Sequence, residues 1–234
     1  MIHVERGGSG PLLVLLHGLG ATGEVWRGVV DRWPGSWLAP DLPGHGRSAP
    51  LDRYSFGSFA AAVASVVPAG PVAVLGHSLG GVVALTLASG WFGVEVSAVA
   101  GVGVKLRWTD EELDRVAGLA ARPPKVFETR AEAVERAAKL AGVPLEHGVV
   151  PDGPGWRPVL DPAAFGVGAP DVEGLLGAAK APVTLAAGEH DHMCPAVDLH
   201  AALPGGMVLA GVGHNAHVEQ PASLDPVLAR LGGA

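Results

Sequence analysis

The first candidate for chemistry is Ser78, which lies at the centre of residues 76–80, GHSLG. An apolar run over Val72–Leu75 precedes this segment, and a helix-length pattern over Leu79–Ser89 follows it. A serine on a sharp turn from strand to helix needs small residues two positions away, because bulkier side chains would collide there. The helix N-terminus also favours negative charge that develops beside it. The pattern therefore predicts that Ser78 is a nucleophile.

A serine hydroxyl is a poor nucleophile at neutral pH, so it needs a base and a carboxylate that orients this base. Asp191 follows the apolar run Val183–Ala187, and His214 follows the run Met207–Ala210. Residues just beyond the carboxyl ends of parallel strands lie at the edge where open α/β sheets form their sites. We therefore predict that Asp191 orients His214, which accepts the proton of the serine.

Neighbouring residues compete for these two roles. His190, His192 and His217 are alternative bases, and Glu189 is an alternative acid. His214 is favoured because it comes directly after a glycine that ends a predicted strand.

A metal site is a further interpretation of residues 190–194, which contain His190, Asp191, His192 and the single cysteine, Cys194. Zinc needs a defined tetrahedral set of ligands, and no second cluster accompanies this one. The sequence therefore predicts no metal at these residues, and it predicts Cys194 to be a small buried side chain.

Residues 17–20, HGLG, follow the apolar run Leu12–Leu16. A glycine-rich turn at this place can direct a backbone N–H at a reacting carbonyl. We predict that the N–H groups of Leu19 and Leu79 form an oxyanion hole, and that the side chain of His17 has a structural role.

The elements that must position these residues alternate between short apolar runs and helix-length segments. This alternation predicts an α/β fold with a parallel sheet covered on both faces. The predicted strands are Ile2–Arg6, Leu12–Leu16, Trp37–Pro40, Val72–Leu75, Val96–Val104, Val183–Ala187 and Met207–Ala210, and the predicted helices are Ser55–Val67, Leu79–Ser89, Pro195–Leu203 and Pro221–Leu231.

Residues 108–170 interrupt the alternation, since they contain no convincing strand. Capping boxes at Thr109 and Thr129 each begin a helix with apolar residues on one face, and Gly142 ends the second one. Residues 145–165 are rich in proline and glycine and are predicted to be irregular. We predict a core formed by residues 1–107 and 171–234, with residues 108–170 inserted as a small helical cap.

Taken together, these motifs resemble the α/β-hydrolase superfamily, in its esterase and C–C hydrolase-like branch with a small cap. Residues 41–48, DLPGHGRS, are similar to the D-x-P-G-x-G-x-S turn of that branch, and residues 213–221 are similar to its G-H-x-x-x-x-E-x-P segment. The order Ser78, Asp191, His214 is also that of the superfamily. The resemblance implies a Ser–His–Asp hydrolase that needs no cofactor.

The reaction expected from this resemblance is hydrolysis of a carboxylic ester or related acyl bond of a small, largely apolar substrate. Fold and triad also permit a C–C bond hydrolase, a lyase or an acyltransferase, and a non-catalytic ligand receptor is a third interpretation. Trp108, Trp156 and Lys105 are candidate pocket residues. Lys105 and Arg107 are either a solvated pair or a site for a substrate carboxylate.

Composition restricts the partners and the compartment of this chain of 234 residues. The formal net charge is −7 and the 16 Lys and Arg residues are scattered, which disfavours nucleic acid as a partner. One cysteine excludes a disulfide within the chain. No apolar stretch is typical of a signal peptide or a membrane span. We expect a cytoplasmic protein with a small-molecule substrate and no membrane partner. The sequence leaves open whether the chain forms a homo-oligomer.

Overall fold

The computed structural model describes residues 1–232, so the last two residues of the predicted core segment 171–234 lie outside it. Seven of the described strands form one sheet in the order β1-β3-β2-β4-β5-β8-β9, in which only the β1–β3 pair is antiparallel. The prediction of a mostly parallel α/β sheet is therefore confirmed. These strands are β1 (Val4–Gly7), β2 (Leu12–Leu16), β3 (Ser36–Pro40), β4 (Pro71–His77), β5 (Glu95–Val102), β8 (Val183–Gly188) and β9 (Met207–Leu209).

Helices cover both faces of this sheet, as the α/β prediction requires. None of those in residues 1–232 has the combined length and apolar character needed to cross a bilayer. The helices are α1 (Arg27–Val30), α2 (Phe56–Ala64), α3 (Leu79–Ala88), α4 (Asp110–Ala120), α5 (Arg130–Ala141), α6 (Val172–Ala178), α7 (Ala196–Ala202), α8 (Ala216–Glu219) and α9 (Asp225–Gly232).

Strand β4 shows how the core is divided into two layers. Val72 and Val74 pack into the layer that contains α2 and α3. Ala73 and Leu75 point to the opposite face and pack with the layer that contains α9. Side chains alternate between faces along a strand, so a strand with helices on both sides must be apolar at every position. This is why β4 is a continuous apolar run in the sequence.

Both predicted cap helices are present, as α4 and α5. Thr109 caps α4 by accepting the N–H of Glu112, and Thr129 caps α5 by accepting the N–H of Glu132. Gly142 ends α5 in the left-handed conformation, at φ +72°. The capping boxes in the sequence therefore located both helices.

The prediction that residues 108–170 contain no strand was wrong. Strands β6 (Val149–Asp152) and β7 (Gly155–Pro158) form a separate antiparallel hairpin in this segment. The turn contains Gly153, at φ +56°, directly after Asp152. Asp152 pairs with Gly155, so Gly153 and Pro154 form a two-residue loop, and glycine at the first loop position is typical of a tight hairpin turn. Here it was hidden among other prolines and glycines, and each strand is only four residues long.

Three short helices, α1, α6 and α8, were not predicted, because none exceeds seven residues and so none shows an apolar period. The predicted helix over Pro221–Leu231 is instead a short 3₁₀ turn over Pro221–Leu224 followed by α9.

The start of α3 lies against the end of β2, and Gly80 makes this contact possible. A Cβ atom on Gly80 would lie 2.2 Å from the carbonyl oxygen of Leu16 and 2.5 Å from that of His17. Both neighbours are backbone atoms at the centre of the sheet, so neither can move without displacing a strand.

We expect Gly80→Ala to lower the free energy of unfolding by about 3 kcal/mol or more, because the added methyl group overlaps backbone atoms. Gly118→Ala is the matched control, since Gly118 lies in α4 and a Cβ there meets no atom within 4 Å. This control is expected to raise the free energy of unfolding by about 0.5–1 kcal/mol, because alanine favours a helix. Urea denaturation of both variants measures the two effects, and equal stabilities would contradict the close contact.

Candidate active site

The turn from β4 into α3 holds Ser78 in a strained backbone conformation. Ser78 has φ +50° and ψ −115°, and it is the only non-glycine residue with a positive φ in residues 1–232. Its N–H donates to the carbonyl of Val102 at 2.8 Å. A Cβ on Gly76 would lie 2.1 Å from the carbonyl oxygen of Gly80. The two glycines are thus required by close backbone contact, and such strain is typical of functional sites.

Asp191 and His214 are joined by a hydrogen bond between two loops at the carboxyl ends of β8 and β9. The Nδ1 of His214 lies 3.1 Å from Oδ1 and 3.0 Å from Oδ2 of Asp191. The carboxylate is fully buried, whereas the His214 side chain keeps 22% of its surface exposed. Since a carboxylate accepts hydrogen bonds, Nδ1 carries the proton and Nε2 is left as the free, basic nitrogen.

The carboxylate of Asp191 is kept ionised by its surroundings. Burial by itself would raise the pKa of this carboxyl group, but the hydrogen bond and charge of His214 act in the opposite direction. The backbone N–H groups of Met193 and Cys194 also donate to Oδ1, at 2.8 and 3.2 Å. The net effect is a lowered pKa, so Asp191 remains a hydrogen-bond acceptor for His214 at neutral pH.

The loop around His214 is held on both sides by one carboxylate. Glu219 accepts the N–H of Gly213 at 2.6 Å and the N–H of Asn215 at 3.0 Å. Glu219 is the glutamate of the G-H-x-x-x-x-E-x-P segment, and the structure shows what it contacts. It fixes the two peptide groups that flank the imidazole.

His77 links the serine turn to the histidine loop, a contact that sequence reasoning missed. Its Nε2 donates to the carbonyl oxygen of His214 at 2.9 Å. The two imidazole rings lie 4.7 Å apart between centroids. Because His77 directly precedes Ser78, this hydrogen bond ties the backbone of the candidate base to that of the candidate nucleophile.

A cavity of about 500 Å³ brings the predicted residues together. Ser78 and His214 both line it, as do Leu19 and Leu79. In the described part of the chain the Ser78 hydroxyl makes no hydrogen bond with His214. Such contacts are often long without a substrate and shorten when one binds.

The two predicted oxyanion donors, Leu19 and Leu79, line the same cavity as Ser78. Leu79 is the first residue of α3, where N–H groups have no acceptor within the helix. Leu19 lies in the turn after β2, and within residues 1–232 its N–H has no protein acceptor. Both N–H groups are therefore available to an oxygen atom of a bound ligand.

The pocket prediction has a mixed outcome. Trp108 and Lys105 line the cavity, but Trp156 does not. Trp156 lies in β7, where its N–H and carbonyl pair with those of Phe127. The unrecognised hairpin is the reason for this error.

Lys105 and Arg107, which the sequence suggested as a site for a substrate carboxylate, each form an ion pair with an acidic side chain of the protein. Lys105 Nζ lies 2.9 Å from Oε1 of Glu112, and Arg107 Nε lies 2.5 Å from Oδ1 of Asp198. Arg107 is also absent from the lining of the cavity. Each of the two cations therefore already has an acidic partner within the protein.

The alternative acid and bases lack the contacts that join Asp191 and His214. Glu189 is exposed and accepts the N–H of Gly211. His190 is exposed and does not line the cavity. His192 does line the cavity, but it is exposed and its side chain has no carboxylate partner in residues 1–232 that would orient it. His217 is buried between other rings and does not line the cavity.

The metal alternative at residues 190–194 is not assembled. In residues 1–232 the only three side chains that bring candidate ligand atoms together are Glu24, Glu146 and His147. There Glu24 accepts the backbone N–H groups of the other two, which connects the core to the end of the cap. Cys194 is a free, buried thiol as predicted, and burial raises its pKa to about 12.

The end of cap helix α5 touches both sides of the site. A Cβ on Gly20, at φ +80°, would lie 3.1 Å from the backbone of Leu140. Next to it, the side-chain amide of Asn215 lies 3.5 Å from the carbonyl of Gly142. The cap therefore contacts the predicted oxyanion turn and the histidine loop at once.

Comparison with known proteins supports the fold. A family model described as the alpha/beta hydrolase family matches residues 13–225. The solved structure of an E-2-(acetamidomethylene)succinate hydrolase superimposes with a TM-score of 0.81 at 24% identity, covering 100% of this chain and 95% of the other. This likeness confirms the α/β-hydrolase fold.

Two curated relatives match over shorter segments. The magnesium-chelatase 30 kDa subunit of Rhodobacter capsulatus is 37% identical over 118 residues, which cover 47% of this chain and 39% of that protein. A pimeloyl-[acyl-carrier protein] methyl ester esterase of Aeromonas hydrophila is 46% identical over 92 residues, covering 37% and 35%. The chain therefore matches well under half of the length of either relative.

Four buried histidines surround the site, and all are kept neutral. Burial is the main cause that lowers the pKa of each of them, to about 3 for His45 and His217. His17 accepts the N–H of Leu42 at Nε2 and contacts the carbonyl of Gly18 at Nδ1, which supports its predicted structural role. The fourth of these buried histidines is His77, which links the serine turn to the histidine loop.

These histidines predict that acid destabilises the fold. Unfolding exposes each ring to water, where its pKa returns to about 6.5, so the unfolded chain binds more protons as the pH falls. For His45 and His217, the contribution to the free energy of unfolding is therefore complete above pH 6.5 and is lost between pH 6.5 and about 3, at roughly 1.4 kcal/mol per pH unit for each of the two. His217→Phe removes one of these titrating rings, so the slope of the unfolding free energy against pH should fall by about 1.4 kcal/mol per pH unit, the contribution of one proton. An unchanged slope would contradict this.

Gly103 supports the Asp191–His214 pair, although no sequence motif pointed to it. It has φ +63°, and a Cβ there would lie 3.1 Å from Nδ1 of His214 and 3.2 Å from Oδ2 of Asp191. A side chain at this position would therefore press on both partners of the hydrogen bond.

We expect Gly103→Ala to shift or abolish the low-field NMR signal of the His214 Nδ1 proton, because the methyl group presses on both partners. Gly93→Ala is the matched control, since Gly93 has φ +72° and a Cβ there meets no atom within 4 Å. It introduces similar backbone strain without touching the pair, and the signal should persist. An intact signal in Gly103→Ala would show that the contact is unimportant.

Proposed function

The chain belongs to the alpha/beta hydrolase family, and from that premise we propose that it is a serine hydrolase which needs no cofactor. The proposed reaction is cleavage of a carboxylic ester or a related acyl bond in a small, largely apolar substrate. Ser78, His214 and Asp191 are the proposed catalytic residues, and the N–H groups of Leu19 and Leu79 are the proposed oxyanion hole.

One observation carries the proposal. A buried, ionised Asp191 holds the imidazole of His214 with its second nitrogen free, in the same cavity that contains the strained Ser78. A purely structural histidine would not need a buried carboxylate partner and an open cavity on its other side. The name of the Aeromonas hydrophila relative, a methyl ester esterase, agrees with an ester as the substrate.

The proposed mechanism follows from these positions. His214 Nε2 accepts the proton of the Ser78 hydroxyl while Oγ attacks the carbonyl carbon of the ester. The carbonyl oxygen becomes negatively charged and accepts hydrogen bonds from the N–H groups of Leu19 and Leu79, assisted by the N-terminal end of α3.

His214 then gives its proton to the departing alcohol, and the acyl group stays on Ser78. In the second half of the reaction, His214 accepts a proton from a water molecule while the water oxygen attacks the acyl carbonyl carbon. The bond to Ser78 Oγ then breaks, Oγ takes the proton back from His214, and the carboxylic acid is released. Throughout, Asp191 accepts the Nδ1 proton of His214 and stabilises the imidazolium that forms in each half of the reaction.

Two alternatives use the same scaffold differently. The same three side chains could cleave a C–C bond or act as a lyase or acyltransferase, because fold and triad do not determine the bond. A non-catalytic receptor is the third interpretation, and the chelatase-subunit name of one relative shows that not every similar protein is named as a hydrolase. A panel of simple esters and vinylogous diketones separates these cases. Turnover of the esters supports an ester hydrolase, turnover of the diketones supports C–C bond cleavage, and binding without turnover supports a receptor.

The direct test is covalent labelling with a fluorophosphonate, followed by peptide mass spectrometry. We expect one adduct on Ser78 in the native chain, because His214 activates that hydroxyl. Ser78→Ala should carry no adduct. Asp191→Asn should react slower by about 10⁴-fold, the loss seen when the aspartate of a serine-protease triad becomes asparagine and the histidine takes the wrong tautomer.

Ser97→Ala is the matched serine control, since Ser97 is exposed on β5 away from the site, and it should label like the native chain. A folded native chain that forms no adduct, or one that is labelled at another serine, would contradict the proposed nucleophile. Labelling without turnover of any ester would leave the other bond types as the reaction.

A further inference from the structure

A second cavity, of about 570 Å³, lies in the cap beside the site. It is bordered by the end of α4, by α5 and by residues 158–165. Lys139, Leu140 and Phe165 line this cavity and also the one that contains Ser78. These three side chains therefore form the boundary between the two spaces, which we call the cap cavity and the serine cavity.

The inner part of the cap cavity is apolar. Leu160 is 5% exposed and belongs to the main hydrophobic core, and Leu140 and Phe165 pack against that core. Leu119 and Phe127 also line the cavity. An alkyl chain that leaves the serine cavity past Leu140 and Phe165 would continue along apolar surface.

The outer part of the cap cavity carries positive charge. Four cationic and two acidic side chains line it. Glu135 is paired with Lys139 at 2.6 Å, and Glu132 accepts the N–H of Thr129 as part of the helix cap. The lining cations without an ion-pair partner in residues 1–232 are Arg122, Lys125 and Arg136.

This group of cations contrasts with the acidic character of the whole chain, whose formal net charge is −7. Lys125 Nζ stands 4.7 Å above the ring of Phe127, at the point where the apolar and charged parts meet. Lys105, the cation expected in the serine cavity, is already paired with Glu112. The serine cavity is lined by one cation without an ion-pair partner in residues 1–232, Arg115, whereas the cap cavity is lined by three. An anionic part of a ligand is therefore attracted more strongly to the cap cavity than to the serine cavity.

We propose that the cap cavity binds the far end of the substrate, and that this end carries an anionic group, a carboxylate or a phosphate, on an apolar chain. The inference rests on the proposed function, since the other end of this chain is the ester that Ser78 attacks. The chain lies across Leu140 and Phe165, and the anion meets Arg122, Lys125 and Arg136. The substrate class is thus an ester with an anionic group at the opposite end of an alkyl chain.

The test compares two series of methyl esters. One is the monomethyl esters of straight dicarboxylic acids from succinate to dodecanedioate, and the other is the methyl esters of monocarboxylic acids of equal length. Binding is measured by calorimetry on Ser78→Ala, and turnover is measured on the native chain. A matching ester with a terminal phosphate distinguishes the two anions.

We expect an anion preference that appears only beyond a threshold chain length, when the chain spans from Ser78 to the cap cavity. The double variant R122Q/R136Q should reduce this preference roughly three- to tenfold, the effect of losing two exposed ion pairs. The preference should also shrink at high salt. Arg130→Gln is the matched control, because Arg130 lies on α5 but does not line the cap cavity.

A preference that is absent at every length, or that survives in R122Q/R136Q, would overturn the inference. The two proposals fail in different ways. Length-dependent binding of the anionic esters to Ser78→Ala without turnover by the native chain would refute the hydrolase function and keep the anion site. Turnover of both series with equal efficiency would keep the function and refute the anion site.

Discussion

The close contact between the start of α3 and the ends of β2 and β4 is the constraint on which the site depends. Gly80 lies against the backbone of Leu16, and Gly76 lies against the carbonyl of Gly80, so that neither position has room for a side chain. The residue between them has a strained backbone conformation with a positive φ, at φ +50° and ψ −115°. Ser78 is thereby raised from the edge of the sheet into the cavity, and the strain is balanced by the packing of α3, in which every residue is buried.

The partners of the serine reach it through loops, and backbone contacts hold these loops in place. Glu219 accepts hydrogen bonds from the backbone N–H groups on either side of His214. Asp191 accepts hydrogen bonds from the imidazole Nδ1–H of His214 and from two further backbone N–H groups. His77 connects this assembly to the serine turn by donating to the carbonyl of His214. The geometry of the candidate site is therefore set by buried hydrogen bonds that sequence spacing does not reveal.

Much of this could be predicted from the sequence, because the relevant signals are local. Apolar runs located the parallel strands, capping boxes located α4 and α5, and glycine spacing indicated the serine turn. The hairpin β6–β7 was missed because its strands are four residues long and lie in a proline-rich segment, and Trp156 was misplaced for the same reason. The roles of His77 and Gly103 depend on contacts with residues about 90 or more positions away, at His214 and Asp191. Only the folded chain shows such contacts.

A crystal structure of the protein after reaction with a fluorophosphonate tests the central claim most directly. We predict a phosphorus–oxygen bond at Ser78 Oγ, with the phosphoryl oxygen accepting hydrogen bonds from the N–H groups of Leu19 and Leu79. We also predict that His214 still bonds to Asp191 and faces the adduct with Nε2. An adduct on another side chain, or a phosphoryl oxygen that points away from both N–H groups, would contradict the proposed site.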